Sequence, residues 1–334
     1  MDKAKLYKYY NIGIRSTIII VALVLLYREL SNKNISEYSD ILENYFQNPR
    51  FLWVLGIVIL LMPINWSIEA LKWKYIVSSR EEISFPLALK AIFAGATVSS
   101  LSPNRVGDFL GRVFVLKKIS FLQGAFITLI GSYAQTLISI IVGFLAIVFW
   151  AFKIPYWGSL DKLYLLLAVS TLFLIIIIFL YYKISVLIQI VPQKWKRIYG
   201  YIQVLSKYKY PELSIILSYS LLRYFVFSSQ FVLMIWAVGL PIPIIHLYLL
   251  VSTIFIINMF RPSIALVEFA IRGAVSVGVI SAYYTHFFGI EFLLSVDIIL
   301  ASTLIWFINI IIPAIIGLLF IKDMKFFKLR KGNT

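Results

Sequence analysis

The chain has 334 residues, of which 61% are hydrophobic and only 14% are charged, against about 25% charged residues in an ordinary soluble domain. A mean hydropathy of +0.91 over the whole length leaves little sequence for a soluble domain and predicts a polytopic membrane protein. The lack of cysteine excludes disulfides, zinc–thiolate sites and iron–sulfur clusters. Two histidines, His246 and His286, are too few for a multi-histidine metal site. We therefore expect no cofactor.

Six apolar stretches are long enough to cross a membrane, since a helical span needs about 20 residues. They are residues 12–28, 51–71, 121–150, 163–182, 212–238 and 290–321. Two further apolar regions, 86–118 and 244–282, are interrupted in their middle by proline and charge. Each half of these regions has about 15–19 residues, which is marginal for a full crossing. We predict that each region forms a re-entrant or short helix pair.

The net charge of +16 would suggest nucleic-acid binding in a soluble chain. Here the basic residues lie mainly in loops between apolar runs, so the positive-inside rule explains them better, and we expect no nucleic acid as a partner. Residues 183–211 are basic and contain no acid, and the tail 322–334 is also basic, whereas 29–50 is rich in acid. This distribution predicts that both termini are cytoplasmic.

The two interrupted regions share a sequence pattern. In each region, two prolines 17–19 residues apart precede the motif acid-Phe-x-x-Arg. The residues are Pro86, Pro103, Asp108 and Arg112 in the first region and Pro243, Pro262, Glu268 and Arg272 in the second. The acids and the arginines are each 160 residues apart (268 − 108 and 272 − 112). Three predicted spans separate the regions, and an odd number reverses the orientation. The pattern therefore predicts one transmembrane domain over 1–334 with an inverted repeat, about 1–152 and about 160–321.

Seven ionisable residues within these apolar segments are candidates for a functional site, because a charge at the bilayer centre costs about 2.5–3.5 kcal/mol. They are Arg105, Asp108, Arg112, Arg223, Arg261, Glu268 and Arg272. The acid and the arginine of each repeat are four residues apart, so they share a helix face and can form an ion pair. Five arginines against two acids leave a surplus of three positive charges, which an anionic ligand would balance. Arginine suits phosphate or carboxylate, and the helices beginning after the two central prolines would add their N-termini.

These residues predict a site for an anionic group, such as a lipid phosphate. The alternative is that each acid–arginine pair only joins two helices. We interpret other polar residues structurally: Glu69 and Lys72 as an interfacial pair at a helix end, and Gln135, Gln230 and Asn309 as interhelical hydrogen-bonding residues. Tryptophans that include Trp53, Trp66 and Trp73 are expected at the membrane interfaces.

Two segments resemble motifs of the lysylphosphatidylglycerol synthase transmembrane-region family. Ser102 to Lys118 resembles its Pro-Gly-Arg-x-Gly-Glu segment, with Arg105, Gly107 and Asp108 at the Arg, Gly and Glu positions and Asn104 in place of Gly. Pro262 to Ala274 is similar to its Pro-x-x-Gly-Gly-x-Gly-Val-Arg-Glu-Ala segment; Arg272 matches the Arg, Gly273 replaces the Glu, and the paired glycines are absent. The resemblance implies a flippase-like domain that moves lipid. Without a synthase domain, it implies no lysyl transfer.

We therefore expect an all-α integral membrane protein of the cell membrane, with a prokaryotic inner membrane as its location. It would move an anionic or phosphate-bearing lipid between leaflets through a basic midplane cavity, and would not be an enzyme. Arg105, Arg112 and Arg272 would hold the headgroup, while Asp108 and Glu268 would pair with them in the empty state or carry protons. Expected partners are the lipid, a second copy of the chain or a separate soluble lipid-modifying enzyme. Alternatives are a membrane-embedded lipid-modifying transferase or phosphatase, or a non-catalytic subunit of an envelope-synthesis complex.

Overall fold

A computed structural model describes residues 43–100, 107–113, 115–154, 160–184, 196–260, 265–289 and 295–321. These residues form helices joined by turns and short connections, and no strand occurs among them. The main helices are α1 (Pro49–Ser78), α2 (Phe85–Ser100), α3 (Gly107–Val113), α4 (Phe121–Lys153), α5 (Leu160–Tyr182), α6 (Lys196–Ile202), α7 (Tyr210–Ala237), α8 (Ile244–Met259), α9 (Ala265–Phe288), α10 (Ser295–Trp306) and α11 (Ile312–Ile321). A π-helical turn, Phe307–Ile311, joins α10 to α11.

Five of the six predicted spans are confirmed as helices long and apolar enough to cross a membrane. Within the described ranges these are α1, α4, α5, α7 and the segment Val296–Phe320. The predicted span 12–28 and the basic tail 322–334 lie outside the described residues. The chain is thus an all-α, multi-pass membrane protein, in which helices satisfy the backbone hydrogen bonds that lipid cannot.

Local sequence signals explain where several helices begin. The side chain of Asn48 caps α1 by accepting from the backbone N–H of Arg50 at 3.0 Å, and proline occupies the first helical position. Ser120 and Gln123 form a reciprocal capping box at the start of α4. At α7, the Glu212 carboxylate accepts from the backbone N–H of Lys209 at 2.8 Å. Each cap satisfies N–H groups that the first helical turn leaves unpaired.

The two interrupted regions form the predicted helix pairs, α2 with α3 and α8 with α9. Helices α2 and α8 each have 16 residues, about 24 Å at 1.5 Å per residue, and α3 has only 7. These lengths fall short of the hydrocarbon core of about 30 Å. Helix α9 differs from the prediction of a 15–19-residue half, because it extends over 24 residues. Its C-terminal turns are stabilised by aromatic packing, with Tyr283 and Phe287 against Trp150 and His246.

Helix α2 is packed closely on two sides by helices that present glycine. Where α3 crosses α2, a Cβ on Gly111 would meet the backbone of Gly95. On the other side, a Cβ on Gly317 of α11 would meet the Phe93 carbonyl and the Thr97 hydroxyl. That hydroxyl also lies 2.6 Å from the carbonyl oxygen of Ala314. Small residues allow such close approach between membrane helices, where packing rather than water drives association.

Helices α1 and α7 lie antiparallel at the centre of the bundle. The Arg50 guanidinium near the start of α1 lies 4.0 Å from the ring centroid of Trp236 near the end of α7. At the opposite end, the Tyr208 hydroxyl just before α7 donates to the Ile76 carbonyl at 2.7 Å. Helix α4 packs against both α1 and α7. The side chains that face this three-helix contact are therefore removed from lipid.

Candidate functional site

One face of α1 carries three buried polar side chains. Asn65, Glu69 and Lys72 follow a spacing of four and three residues, which places them on one helix face. The Lys72 ammonium forms an ion pair with the Glu69 carboxylate at 2.8 Å. The prediction that this pair lies at a helix end is wrong. Helix α1 continues to Ser78, α4 and α7 pack against it, and Arg112 of α3 contacts Glu69.

The Glu69 carboxylate is the centre of an ion-pair network that joins three helices. Arg112 of α3 donates from Nη1 to Oε1 at 2.7 Å. On the other oxygen, Oε2, Lys72 lies at 2.8 Å and Nη1 of Arg223 from α7 lies at 3.1 Å. A single buried carboxylate therefore contacts three cationic groups, as a charge away from water requires.

The predicted ion pair between Asp108 and Arg112 is confirmed within α3. Arg112 donates from Nε to Asp108 Oδ1 at 2.8 Å, and its Nη2 lies 2.6 Å from Oδ2, which gives a bidentate pair. Gly95 of α2 makes room for it, because a Cβ there would lie 2.8 Å from Asp108 Oδ1 and 3.2 Å from Arg112 Cγ. We refer to five side chains as the charge cluster: Glu69, Lys72, Asp108, Arg112 and Arg223.

Helix α4 supplies the neutral part of this network. Lys72 Nζ lies 3.4 Å from the Gly131 carbonyl oxygen and 3.4 Å from Gln135 Oε1. The Gln135 amide then donates to the Ser220 carbonyl of α7 at 3.3 Å. Gln135 therefore forms the interhelical hydrogen bonds predicted for it, and it also orients a member of the charge cluster.

Arg223 has the polar surroundings that its sequence position predicts. Among the described side chains its partner is Glu69; Asp108 and Glu268 were the acids expected nearest to it. Its guanidinium also lies 5.6 Å from the ring centroid of Trp66, within range of a cation–π interaction. Trp66 is buried between Arg223 and the ring of Phe93.

Glu81 positions the segment that follows α3. Its carboxylate accepts from the backbone N–H groups of Lys117 at 3.0 Å and Lys118 at 2.7 Å. Glu81 lies just after α1 and is buried. The end of α1 and the connection from α3 to α4 are therefore joined, which helps to hold Arg112 beside Glu69.

Other predicted polar contacts bind the same helices together. Gln230 donates from its amide to the Val58 carbonyl at 2.9 Å, and Asn65 donates to Asn309 Oδ1 at 3.1 Å. Trp73, which was expected at an interface, is buried and donates to the Thr128 hydroxyl at 3.3 Å. These residues are structural contacts within the bundle, as predicted for Gln230 and Asn309.

The structure brings together three of the seven predicted site residues, Asp108, Arg112 and Arg223. Arg105 and Arg261 lie outside the described residues, as does the side chain of Glu268. Arg272 is half-buried on α9 and is not a member of the charge cluster. Sequence reasoning missed Glu69 and Lys72 as site residues. Their spacing from Asn65 along one face of an apolar helix was the available signal.

The charge cluster has three cations and two acids, a surplus of one positive charge. Arginine and lysine in this setting are suited to bind phosphate or carboxylate. Within the described ranges, no group of three His, Asp or Glu side chains is arranged to hold a metal ion. No protein family, curated protein or solved structure matches this chain.

Proposed function

We propose that this protein moves an anionic or phosphate-bearing lipid between the two leaflets of a cell membrane. The observation that carries the proposal is the charge cluster, which places a surplus cation among helices α1, α3 and α7 of a membrane bundle. Buried charges in membrane helices are costly and mark the paths of ions or substrates. A lipid headgroup with a phosphate would balance the surplus.

The proposal includes an inverted repeat with the lipid path between its halves. The helix contacts support this arrangement. In the proposed repeat, α1, α2, α3 and α4 correspond to α7, α8, α9 and α10–α11. Each contact between two of these helices then has a counterpart between the two corresponding helices. The corresponding contacts are α1–α2 and α7–α8, α2–α3 and α8–α9, α3–α4 and α9–α10, α1–α4 and α7–α10, and α2–α11 and α8–α4. Transporters built from such repeats bind substrate where the halves meet.

Lipid transport requires no bond to be made or broken in the protein. Such transport needs only charged groups that bind the headgroup and a helix bundle that provides a path between the leaflets. We therefore propose a transporter without enzymatic activity, which either acts alone or supplies lipid to a soluble lipid-modifying enzyme. The resemblance to flippase-like domains, noted from residues 102–118 and 262–274, favours the same function.

Reconstitution into phosphatidylcholine vesicles with fluorescent lipids tests this proposal. A membrane-impermeant quencher measures how much lipid has crossed between leaflets. We expect faster exchange of phosphatidylglycerol than of an uncharged diacylglycerol analogue. Headgroup-independent exchange, or exchange equal to that of protein-free vesicles, would contradict it. A change in the mass of the recovered lipid would instead indicate a lipid-modifying enzyme.

A matched pair of arginine variants separates the charge cluster from general effects of charge loss. Arg223 and Arg50 both connect α1 with α7, and each guanidinium lies over a tryptophan ring. Only Arg223 contacts Glu69. We expect Arg223→Gln to slow phosphatidylglycerol exchange by about tenfold or more, the loss of one charged hydrogen bond, and Arg50→Gln to keep the parental rate.

A further inference from the structure

The three cations of the charge cluster differ in how completely their donors are used. Lys72 faces three acceptors, Glu69, Gly131 and Gln135, and its side chain is 1% exposed. Arg112 uses Nε and both terminal nitrogens on Asp108 and Glu69, and its side chain is 8% exposed. Both cations are committed to contacts within the protein.

Arg223 is bonded less completely. Its ion pair with Glu69 uses Nη1, and its buried Nε has no acceptor among the described residues. Its side chain is 22% exposed, the largest fraction of the three cations. The neighbouring Trp66 adds a second unused donor, because its buried indole N–H also lacks an acceptor in the described part of the chain. Unused buried donors beside a half-buried cation are suited to bind an anion.

Glu69 is arranged so that it can lose Arg223 without becoming unpaired. Arg112 contacts one carboxylate oxygen, and Lys72 shares the other with Arg223. If Arg223 turned towards another anion, two cations would still neutralise Glu69. The exchange therefore replaces one anion at Arg223 by another and leaves no buried charge alone.

We propose that Arg223 is the residue of the charge cluster that contacts the ligand, and that a phosphate group binds there in exchange for the carboxylate of Glu69. This inference rests on the proposed function and names the binding residue within it. The recognised chemistry is a phosphate ester or the free phosphate ion. Arg112, Lys72 and Asp108 are positioning residues that hold Glu69 and the helices around it.

Competition between Glu69 and the phosphate for Arg223 explains how a site with a surplus positive charge releases its ligand. A carboxylate already bound to Arg223 competes with the phosphate and lowers its net affinity. Conduction and transport both need binding that is strong enough for entry and weak enough for exit. Glu69 therefore sets the affinity, and its removal makes binding tighter instead of abolishing it.

Calorimetry on the full chain in an uncharged detergent measures this competition. The probes are a short-chain phosphatidylglycerol, inorganic phosphate and an uncharged short-chain diacylglycerol. Four variants are compared with the parent: Arg223→Gln, Glu69→Gln, the double variant Glu69→Gln with Lys72→Gln, and the control Arg50→Gln. The double variant preserves the surplus of one positive charge, so it keeps the test available if Glu69→Gln alone fails to fold.

We expect Arg223→Gln to weaken phosphatidylglycerol binding by about tenfold or more and the two Glu69 variants to tighten it by about tenfold, since each removes or frees one charged contact. Arg50→Gln should bind phosphatidylglycerol as tightly as the parent does. The uncharged diacylglycerol should not bind to any of the proteins. Unchanged binding by Arg223→Gln would overturn the assignment of the ligand to Arg223. Weaker or unchanged binding by the folded double variant would overturn the exchange with Glu69.

The probes also separate this inference from the proposed function. Inorganic phosphate bound as tightly as the lipid, with the same variant pattern, supports the exchange and identifies the ligand as the free anion. Such a result contradicts lipid transport. The opposite result is an Arg223→Gln variant that exchanges lipid in vesicles at the parental rate. That result would support the proposed function and overturn Arg223 as the residue that contacts the ligand.

Discussion

The two short helix pairs share a sequence pattern but have different partners. In the first pair, α2 with α3, Arg112 joins Asp108 to Glu69 of α1. The position 160 residues after Glu69 is Ser229 (69 + 160), whose hydroxyl lies 2.7 Å from that of Tyr248. The acid–arginine motif is thus repeated in the sequence, whereas the position that matches Glu69 holds a serine. In the proposed inverted repeat, corresponding helix positions therefore do not always carry the same chemical group.

Among the described side chains, the second pair, α8 with α9, shares a cluster of aromatic rings. His246 Nδ1 of α8 lies 2.8 Å from the Tyr283 hydroxyl of α9, and Trp150 of α4 packs edge-on against both rings. Phe287 closes the cluster. The first pair therefore depends on charge and close glycine contacts, and the second on aromatic packing. The described contacts therefore favour an anion site in the first pair.

The largest expected effect is in thiol labelling, which reports the side of the membrane on which each helix pair begins. Because α1 and α7 are antiparallel, the connections that follow them lie at opposite ends of the bundle. In this cysteine-free chain, Glu82→Cys should be protected from an impermeant thiol reagent added outside intact cells, and Pro241→Cys should be labelled. Permeabilised cells are the control, in which both should react. Labelling of both cysteines from the same side of intact cells would contradict the inverted repeat.

Loss of the central arginine should affect stability more in the first pair than in the second. Arg112→Gln leaves Glu69 and Asp108 without their shared cation, and breaking a buried pair costs about 3–5 kcal/mol. Arg272→Gln, at the matching position, removes a half-buried side chain and should cost less. Unfolding by SDS titration from mixed micelles measures both. Equal losses would show that the two motifs have equivalent surroundings.

Glycine substitutions sharpen the same contrast in packing. A methyl group on Gly111 meets the backbone of α2, which cannot move aside, whereas one on Gly278 of α9 meets nothing within 4 Å. We expect Gly111→Ala to destabilise by about 1–3 kcal/mol. Gly278→Ala should stabilise by about 0.5–1 kcal/mol, the ordinary gain of alanine in a helix. Thermal unfolding in detergent checks the signs, and a stable Gly111→Ala variant would contradict the close crossing of α2 and α3.

The smallest expected effect lies in the aromatic cluster of the second pair. Tyr283→Phe keeps the ring and removes the hydroxyl that pairs with His246. We expect a loss of about 0.5–1.5 kcal/mol, the contribution of one neutral hydrogen bond, with lipid binding unchanged. Tyr164→Phe on the exposed face of α5 is the control. A change in phosphatidylglycerol affinity on Tyr283→Phe would place the second pair in the binding site.

Much of the fold could be predicted from the sequence because a bilayer imposes a length on apolar helices. The spans 51–71, 121–150, 163–182 and 212–238 each lie within a helix of the structure, apart from Val238 at the end of the last. The short halves were also predictable, since proline and charge interrupt them. The extension of α9 was not, because it depends on rings contributed by α4 and α8.

The candidate site was predictable only where its residues are close in sequence. The spacing of Asp108 and Arg112 predicts their ion pair, since it holds within any regular helix. The contacts of Glu69 with Arg112 and Arg223 join residues 43 and 154 positions apart (112 − 69 and 223 − 69). They depend on which helices pack together. The predicted span 51–71 also puts Glu69 near a helix end, whereas α1 continues to Ser78.

The most direct test of a phosphate site at Arg223 is an experimental structure of the protein in a nanodisc that contains phosphatidylglycerol. The account predicts a lipid phosphate within hydrogen-bonding distance of the Arg223 guanidinium, with Glu69 still bound to Arg112 and Lys72. The Arg223–Glu69 distance, 3.1 Å here, should then exceed the 4 Å range of an ion pair. A phosphate bound beside Arg272 while Arg223 remains paired with Glu69 would contradict it.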